Sequence, residues 1–249
     1  MLKIEITPGY EHLKDFLTQL PVCFEQGDGR TIHVGRNVIK VMEADGILLN
    51  VKRYHVPSFF NRIVYSFFRV PKGKRAFTYP NILLQKGFET PRPVAYVEER
   101  AGGLIGYSYF VSLQCPYRRK FYEFGNASIA DCREVVSAFA RLTARLHEAE
   151  IYHRDYSPGN ILFDYVDGQY HFSLVDINRM EFGPVSVEKG CANFARLWGQ
   201  KDFFLQLAQD YASARGVDAT YCTERILYYR RRFWTHYIKR HKPDFNLEL

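Results

Sequence analysis

No run of apolar residues in this chain approaches the roughly 18–20 that a membrane-spanning helix needs. The opening residues, Met1-Leu-Lys-Ile-Glu-Ile-Thr-Pro-Gly9, hold no apolar core of a secretory signal. Cysteine is sparse and scattered. Cys23, Cys115, Cys132, Cys191 and Cys222 are odd in number and no two stand at CxxC spacing. That argues against a disulfide framework or a zinc site and for a reducing, cytoplasmic compartment. There is no internal repeat, no long linker, and no RRM, KH or zinc-finger motif, so no nucleic-acid partner is expected. What the chain does have is ordinary globular composition: 249 residues, 47% hydrophobic and 24% charged. Disorder and fibrous architectures are thereby excluded. Lys and Arg number 34 against 27 Asp and Glu, a net charge of +7. This excess favours an anionic partner without selecting which kind.

The first third reads as strands. Arg30–Gly35, Val38–Met42 and Ile47–Tyr54 are β-branched runs separated by Gly35-Arg36-Asn37 and by Ala44-Asp45-Gly46, which are hairpin signals. Residues 74–86 read as a helix interrupted by Pro80. Val94–Glu98 and Tyr107–Leu113 flank a turn at Ala101-Gly-Gly103. The expectation is a five-strand antiparallel sheet with one helix over residues 1–110. From 111 to 249 the chain becomes mostly helical. Val135, Val136, Phe139, Ala140, Leu142 and Leu146 have the spacing of one helix face. Ile161–Val166 and Tyr170–Val175 form a further hairpin around Asp167-Gly168. The stripe Ile226, Tyr229, Phe233, Tyr237 and Ile238 on the last helix reads as core. Strands first and helices after define an α+β architecture in two lobes.

Between the long helix and that hairpin stands His153-Arg154-Asp155-Tyr156-Ser157-Pro158-Gly159-Asn160. This is HRDxxxxN, the catalytic loop of the protein-kinase-like fold. Its four fixed letters arise by chance about once in several hundred chains of this size. The hairpin that follows ends in Asp176, and a Val-Lys pair on the third strand of the hairpin series supplies Lys52. Phosphoryl transfer is mostly positioning and charge neutralisation, and these residue types supply both. Asp155 orients the acceptor hydroxyl or takes its proton. Asn160 and Asp176 are hard oxygen ligands for Mg²⁺. Lys52 holds the ATP phosphates, and the turn at Gly35 and Asn37 lets backbone approach them. Lys40, Arg53 and Lys72 are neighbouring alternatives to Lys52. His153 reads as a brace for the loop rather than a proton carrier. Arg154 and Arg179 read as ion-pair partners or substrate contacts.

At these residues the sequence resembles the protein-kinase-like superfamily over roughly residues 25–240. Ser157 stands where Ser/Thr protein kinases carry a loop lysine, and no Ala-Pro-Glu signature follows Asp176. Gly35-Arg-Asn-Val-Ile-Lys40, Val51-Lys-Arg53, Thr90-Pro-Arg-Pro-Val-Ala-Tyr96 and the HRD loop together resemble the lipopolysaccharide kinase family, whose members phosphorylate Kdo or heptose. The resemblance implies an ATP- and Mg²⁺-dependent sugar kinase. Its partner would be a lipid-linked anionic glycan, lipid A bearing Kdo or inner core, met at the cytoplasmic face of the inner membrane. Two departures stand out. The usual DFG is Asp176-Ile177-Asn178, and no acidic residue lies between Arg69 and Gln85 to pair with Lys52. Asn81, Glu89, Glu98 and Glu99 are the candidates for that pairing. Other small-molecule kinases, an atypical protein kinase and an inactive pseudokinase scaffold are the alternatives.

Basic clusters at 62–75, at 118–120 and along 225–242 complete the picture. The last contains Arg225, Arg230, Arg231, Arg232, Lys239, Arg240 and Lys242 with no acid. It reads either as a solvated helix face or as a surface drawn to an anionic membrane.

Overall fold

Tight turns set the frame. Asp45 and Gly46 both have positive φ, at 49° and 72°, and so do Asp167 and Gly168, at 48° and 81°. Two consecutive residues in this region make the two-residue turn whose twist suits a hairpin, and Asp-Gly is its preferred sequence. The computed structural model describes the whole chain, Met1–Leu249, in two compact units, Met1–Pro116 and Tyr117–Leu249. No helix is long and apolar enough to cross a membrane.

The first unit contains β1 (Leu2–Ile6), α1 (Lys14–Gln26), β2 (Arg30–Val34), β3 (Val38–Ala44), β4 (Ile47–Tyr54), α2 (Phe59–Phe67), α3 (Lys72–Gln85), β5 (Pro93–Ala101) and β6 (Leu104–Leu113). The strands form one sheet in the order β1-β5-β6-β4-β3-β2, every neighbour antiparallel. The five expected strands are present, and β1 adds a sixth along β5. Two helices beyond the expected one, α1 and α2, are also found. α1 carries Pro21 in its interior, which costs about 3 kcal/mol in a helix. It also buries Leu17, Leu20 and Phe24 on one face, each gaining about 1.5–3 kcal/mol. Burial therefore outweighs propensity. The same balance carries α3 unbroken through Pro80. Its face Gly73, Ala76, Pro80 and Leu83 is buried at 3-4-3 spacing.

Both faces of the sheet are covered, and this sorts the lysines. Val51 faces Lys40 across the ladder, whereas Lys52 faces Ile39 and Phe110. Successive residues of a strand point to opposite faces. Lys40 and Val51 lie on the α1 side, where Leu49, Val51, Val97, Tyr109 and Val111 join Leu17, Leu20 and Phe24 in one core. Lys52 lies on the other side with Tyr54, Tyr96 and Ser108. There Gly73 of α3 sits so close that a Cβ would come within 3.2 Å of all three of those side chains.

The second unit contains β7 (Arg119–Lys120), α4 (Ile129–Glu148), β8 (Ile151–Tyr152), β9 (Ile161–Val166), β10 (Gln169–Leu174), β11 (Glu181–Phe182), α5 (Val187–Asn193), α6 (Lys201–Arg215) and α7 (Ala219–Tyr237). β10-β9-β7 form a small sheet, and β8 pairs with β11. The core is aromatic: Phe121, Phe139, Phe163, Phe194, Phe203 and Phe204 are fully buried. On α7 the buried stripe is Cys222, Ile226, Arg230 and Trp234. Of the stripe read as core, only Ile226 is buried, and Ile238 is 44% exposed. Arg230 displaced the expected line. Its guanidinium donates to the Gly199 and Glu248 carbonyls and covers the Phe204 ring at 4.5 Å.

Candidate functional site

In the second unit, the segment 153–160 leaves β8 and enters β9, and buried groups hold it at both ends. Tyr156 is 1% exposed, stacks on Phe139 of α4 at 5.4 Å, and its hydroxyl shares a 2.9 Å hydrogen bond with Thr143. Ser157 N–H donates to the Asp155 carbonyl at 2.8 Å, and Asn160 N–H to the Ser157 carbonyl at 2.9 Å. With Tyr156 inserted in the core, the preceding carboxylate of Asp155 is turned outward, with 27% of its side chain exposed.

His153 has no exposed surface and braces the loop, as expected. Its Nδ1 accepts from the Asp155 N–H at 3.1 Å, which leaves the proton on Nε2 to donate to the Val175 carbonyl at 3.0 Å. Burial lowers its pKa, so the neutral ring is retained. One imidazole thus ties Asp155 to the residue before Asp176. Val175 N–H donates in turn to the Asn160 carbonyl at 3.0 Å. Asp155, Asn160 and Asp176 are therefore brought together by the backbone of one unit.

The donor set fits a hard cation. Asn160 Nδ2 donates to the Asp155 carbonyl at 2.8 Å, so its Oδ1 is the atom left to accept or ligate. Asp176 occupies the left-handed region, φ 54° and ψ 41°, which Asp tolerates better than most residues. The departure at Asn178 has a use: its amide donates to Asp176 Oδ1 and orients that carboxylate. Two protein oxygen ligands with further ligands from phosphates is the usual arrangement for Mg²⁺.

A chain of buried polar groups stands behind His153. Arg215 Nη1 donates to the Tyr211 hydroxyl at 3.0 Å, which lies 2.9 Å from His147 Nδ1. His147 Nε2 lies 3.0 Å from Asn193 Oδ1, and Asn193 Nδ2 donates to the His153 carbonyl at 2.9 Å. Burial pushes the His147 pKa down to about 4, consistent with a neutral ring that donates through Nε2. Gly190 of α5 leaves room for this chain. A Cβ there would overlap the Tyr211 hydroxyl and lie 2.9 Å from His147 Nδ1. The sequence reading did not find His147, Asn193 or Arg196. Arg196 pairs with Asp155 Oδ1, and its guanidinium lies 5.5 Å over the Phe233 ring of α7. Arg154 instead pairs with Glu181 at 3.2 Å, alongside Lys189 at 2.9 Å, and Arg179 is exposed.

In the first unit, Lys52 Nζ lies 5.4 Å from the Tyr54 ring centre, and the end of its strand lies beside the β2–β3 turn that carries Gly35 and Asn37, Arg53 pairing with Val38. Gly35 N–H donates to the Asn37 carbonyl at 3.2 Å, and Asn37 Oδ1 accepts from the His55 N–H at 3.2 Å. Gly35, Arg36, Asn37, Tyr54, His55 and Lys72 line part of a cavity of about 760 Å³. Of the three alternatives to Lys52, Lys72 lines this cavity and the other two are used elsewhere. Lys40 donates to the Phe24 carbonyl at 2.8 Å, and Arg53 pairs with Glu25. Among the candidate acids, register puts Glu98 on the Lys52 face, where it binds Tyr96 and Arg100. Glu99 accepts from Tyr109 at 2.8 Å, and Asn81 is exposed. α3 itself contains no acidic residue.

Two units of this make, a sheet with helices and a mostly helical partner carrying an HRD loop, define a protein-kinase-like fold. Comparison with known proteins gives the family. A profile of the lipopolysaccharide kinase (Kdo/WaaP) family matches residues 25–198, well over half of the chain, and this chain belongs to that family. A solved structure described as WaaP in complex with acyl carrier protein is similar, at 16% identity and a TM-score of 0.59. The match covers 93% of this chain and 99% of that one. A Mycobacterium tuberculosis PknI kinase domain, in a doubly mutated form, matches at 13% identity and a TM-score of 0.41, over 77% of this chain and 74% of that one. No curated protein sequence matches. The fold and the family place the chain among kinases that act in lipopolysaccharide biosynthesis.

Proposed function

We propose that this chain transfers the γ-phosphoryl group of ATP to a hydroxyl of Kdo or another inner-core sugar on a lipid A precursor. The observation that carries the reading is the Asp155 carboxylate turned out of the loop that His153, Tyr156 and Asn160 hold in place. Asp155 orients the acceptor O–H and receives its proton as the new O–P bond forms and ADP leaves with the old bridging oxygen. Arg196 positions Asp155 through their ion pair. Asn160 and Asp176 hold Mg²⁺, which neutralises phosphate charge. In the first unit, Lys52 binds the ATP phosphates, and Gly35 and Asn37 border the cavity that receives them. On this reading the sheet-bearing lobe is the nucleotide lobe and the helical lobe holds the acceptor. The enzyme works at the cytoplasmic face of the inner membrane, where the lipid-linked acceptor is found.

The test is a panel of acceptors with labelled ATP and Mg²⁺: Kdo-bearing lipid A, heptose-bearing inner core, aminoglycoside, choline and peptide. Label on the two glycolipids alone supports the reading. Label on any other acceptor alone moves the substrate class. A protein that shows no thermal shift with millimolar Mg²⁺-ATP and labels nothing is a binding scaffold instead. The absence of an acid on α3 is the observation that favours this second reading.

A further inference from the structure

α2 is amphipathic the wrong way round for a soluble helix. None of its residues is buried. Its inward side is mixed, with Arg62, Ile63, Tyr65 and Ser66 half-buried. Arg62 Nε donates to the Ile105 carbonyl at 2.8 Å and Ser66 Oγ accepts from the Ile105 N–H at 2.9 Å, and these hydrogen bonds tie it to the start of β6. The outward face is apolar. Phe60, Val64, Phe67 and Phe68 stand at i, i+4, i+7 and i+8, one stripe along the helix and its C-cap. Phe59 is 63% exposed, Phe60 80%, Phe67 64% and Phe68 82%, and Val70 just beyond is 53% exposed. Only neighbouring rings support one another, Phe59 on Phe60 at 6.1 Å and Phe67 on Phe68 at 6.5 Å.

Charge identifies the occupant. From Gly46 to Phe88 there is no Asp or Glu, while Lys52, Arg53, Arg62, Arg69, Lys72, Lys74, Arg75 and Lys86 all fall within it. Phe67 and Phe68 border an open cavity with Arg69, Lys74 and Glu5, yet Phe60 and Phe68 remain about four-fifths exposed, and protruding rings on a stretch of chain that carries cations and no acid match an anionic bilayer. Interfacial helices bury such rings at the headgroup boundary, and cations beside them gain from the negative surface. A folded protein partner would have to supply a matching concavity. Ion pairs occupy cations in both basic stretches, Arg53 with Glu25 and Lys74 with Glu5 in this one and Arg225 with Glu188 on α7, but only this one carries a row of exposed phenylalanines.

We infer that α2 and its C-cap, Phe59–Phe68, form the surface by which this protein docks on an anionic membrane. The inference rests on the lipid-linked acceptor proposed above. Its test needs no ATP, so failure of docking and failure of phosphotransfer are separate results.

The experiment is flotation of the full-length protein with phosphatidylglycerol/phosphatidylcholine vesicles and with phosphatidylcholine vesicles. The proteins are wild type, Phe60→Ser/Phe68→Ser, and Arg231→Gln/Arg232→Gln on α7. The expected result is partition of wild type onto anionic vesicles, weakened by salt. The phenylalanine variant should lose at least about tenfold of that partition and the α7 variant should not. Both mutated rings are over three-quarters exposed, so circular dichroism and thermal midpoint should stay unchanged. Four outcomes overturn the proposal. Wild type does not float; the phenylalanine variant floats equally; or only the α7 variant fails to float. In the fourth, lipid-free sedimentation shows that the phenylalanines instead mediate a dimer or hold an acidic protein such as acyl carrier protein, without vesicle binding.

Discussion

Asn193 offers the sharpest perturbation of the frame behind the HRD loop. It is 5% exposed and stands between two buried groups, accepting from His147 and donating to the His153 carbonyl. Asn193→Ala leaves the His147 Nε2–H and that carbonyl both without a partner. Each orphaned buried group costs about 1–3 kcal/mol, so the variant should lose about 2–6 kcal/mol. For a chain of this size that is a fall in Tm of roughly 4–24 °C. Asn193→Asp separates polarity from charge. It keeps an acceptor toward His147 but sets an anionic oxygen against the His153 carbonyl. It should also be destabilised at pH 7.5, and its deficit should shrink toward pH 5, where a protonated His147 becomes its ion partner. The assay is thermal unfolding by circular dichroism across that pH range, with phosphotransfer measured well below each Tm. A loss of less than about 1 °C in Asn193→Ala would refute the claim that this chain holds the loop.

The remaining predictions concern neighbouring residues. His147 is neutral in the fold with a pKa near 4, against an ordinary value of 6.5. The unfolded chain therefore takes up its proton first as pH falls, and stability should decline between about pH 6.5 and 4 by about 3 kcal/mol from this group. Denaturant titrations should show a shallower acid limb in His147→Gln. Gly190→Ala drives a methyl into the Tyr211 hydroxyl and should prevent accumulation of folded protein at 37 °C, as soluble expression would report. Arg196→Gln frees Asp155 from its ion pair and should lower kcat by about tenfold to a hundredfold with little change in KM for ATP. Lys52→Met should do the reverse, raising KM for ATP while Lys40→Met chiefly lowers Tm, because Lys40 holds the α1 carbonyl of Phe24.

The HRD loop was legible because its pattern is compressed into eight consecutive residues, and the hairpins because Asp-Gly specifies one turn. α4 was legible from its apolar spacing. Three things were not. α1 was not anticipated, and α3 was expected only as a helix interrupted at Pro80; burial against the sheet shows why both run unbroken through a proline. The sequence singled out Lys52 but left Lys40, Arg53 and Lys72 beside it as alternatives, because separating Lys52 from Lys40 takes strand register and both faces of the sheet are covered. Arg196, Asn193 and Asn178 are ordinary polar residues whose roles come from proximity in the fold. The last two occupy helix-end and loop positions with no motif of their own. α2 is the instructive case. Its periodicity is strong, yet a periodic apolar stripe is normally read as core, and here it faces out.

On the proposed function Asp155, held by His153 and Arg196, orients a sugar hydroxyl of a lipid-linked glycan and takes its proton as the γ-phosphoryl group passes from ATP. The most direct test incubates Kdo-bearing lipid A with labelled ATP and Mg²⁺, using wild type and Asp155→Asn side by side. The account predicts label on the glycolipid with wild type and loss of at least about a thousandfold in rate with Asp155→Asn, which should keep its fold and its Mg²⁺-ATP thermal shift. Transfer by Asp155→Asn at near the wild-type rate would contradict the assignment of the catalytic group. A wild-type protein that binds Mg²⁺-ATP and leaves the glycolipid unlabelled would contradict the substrate.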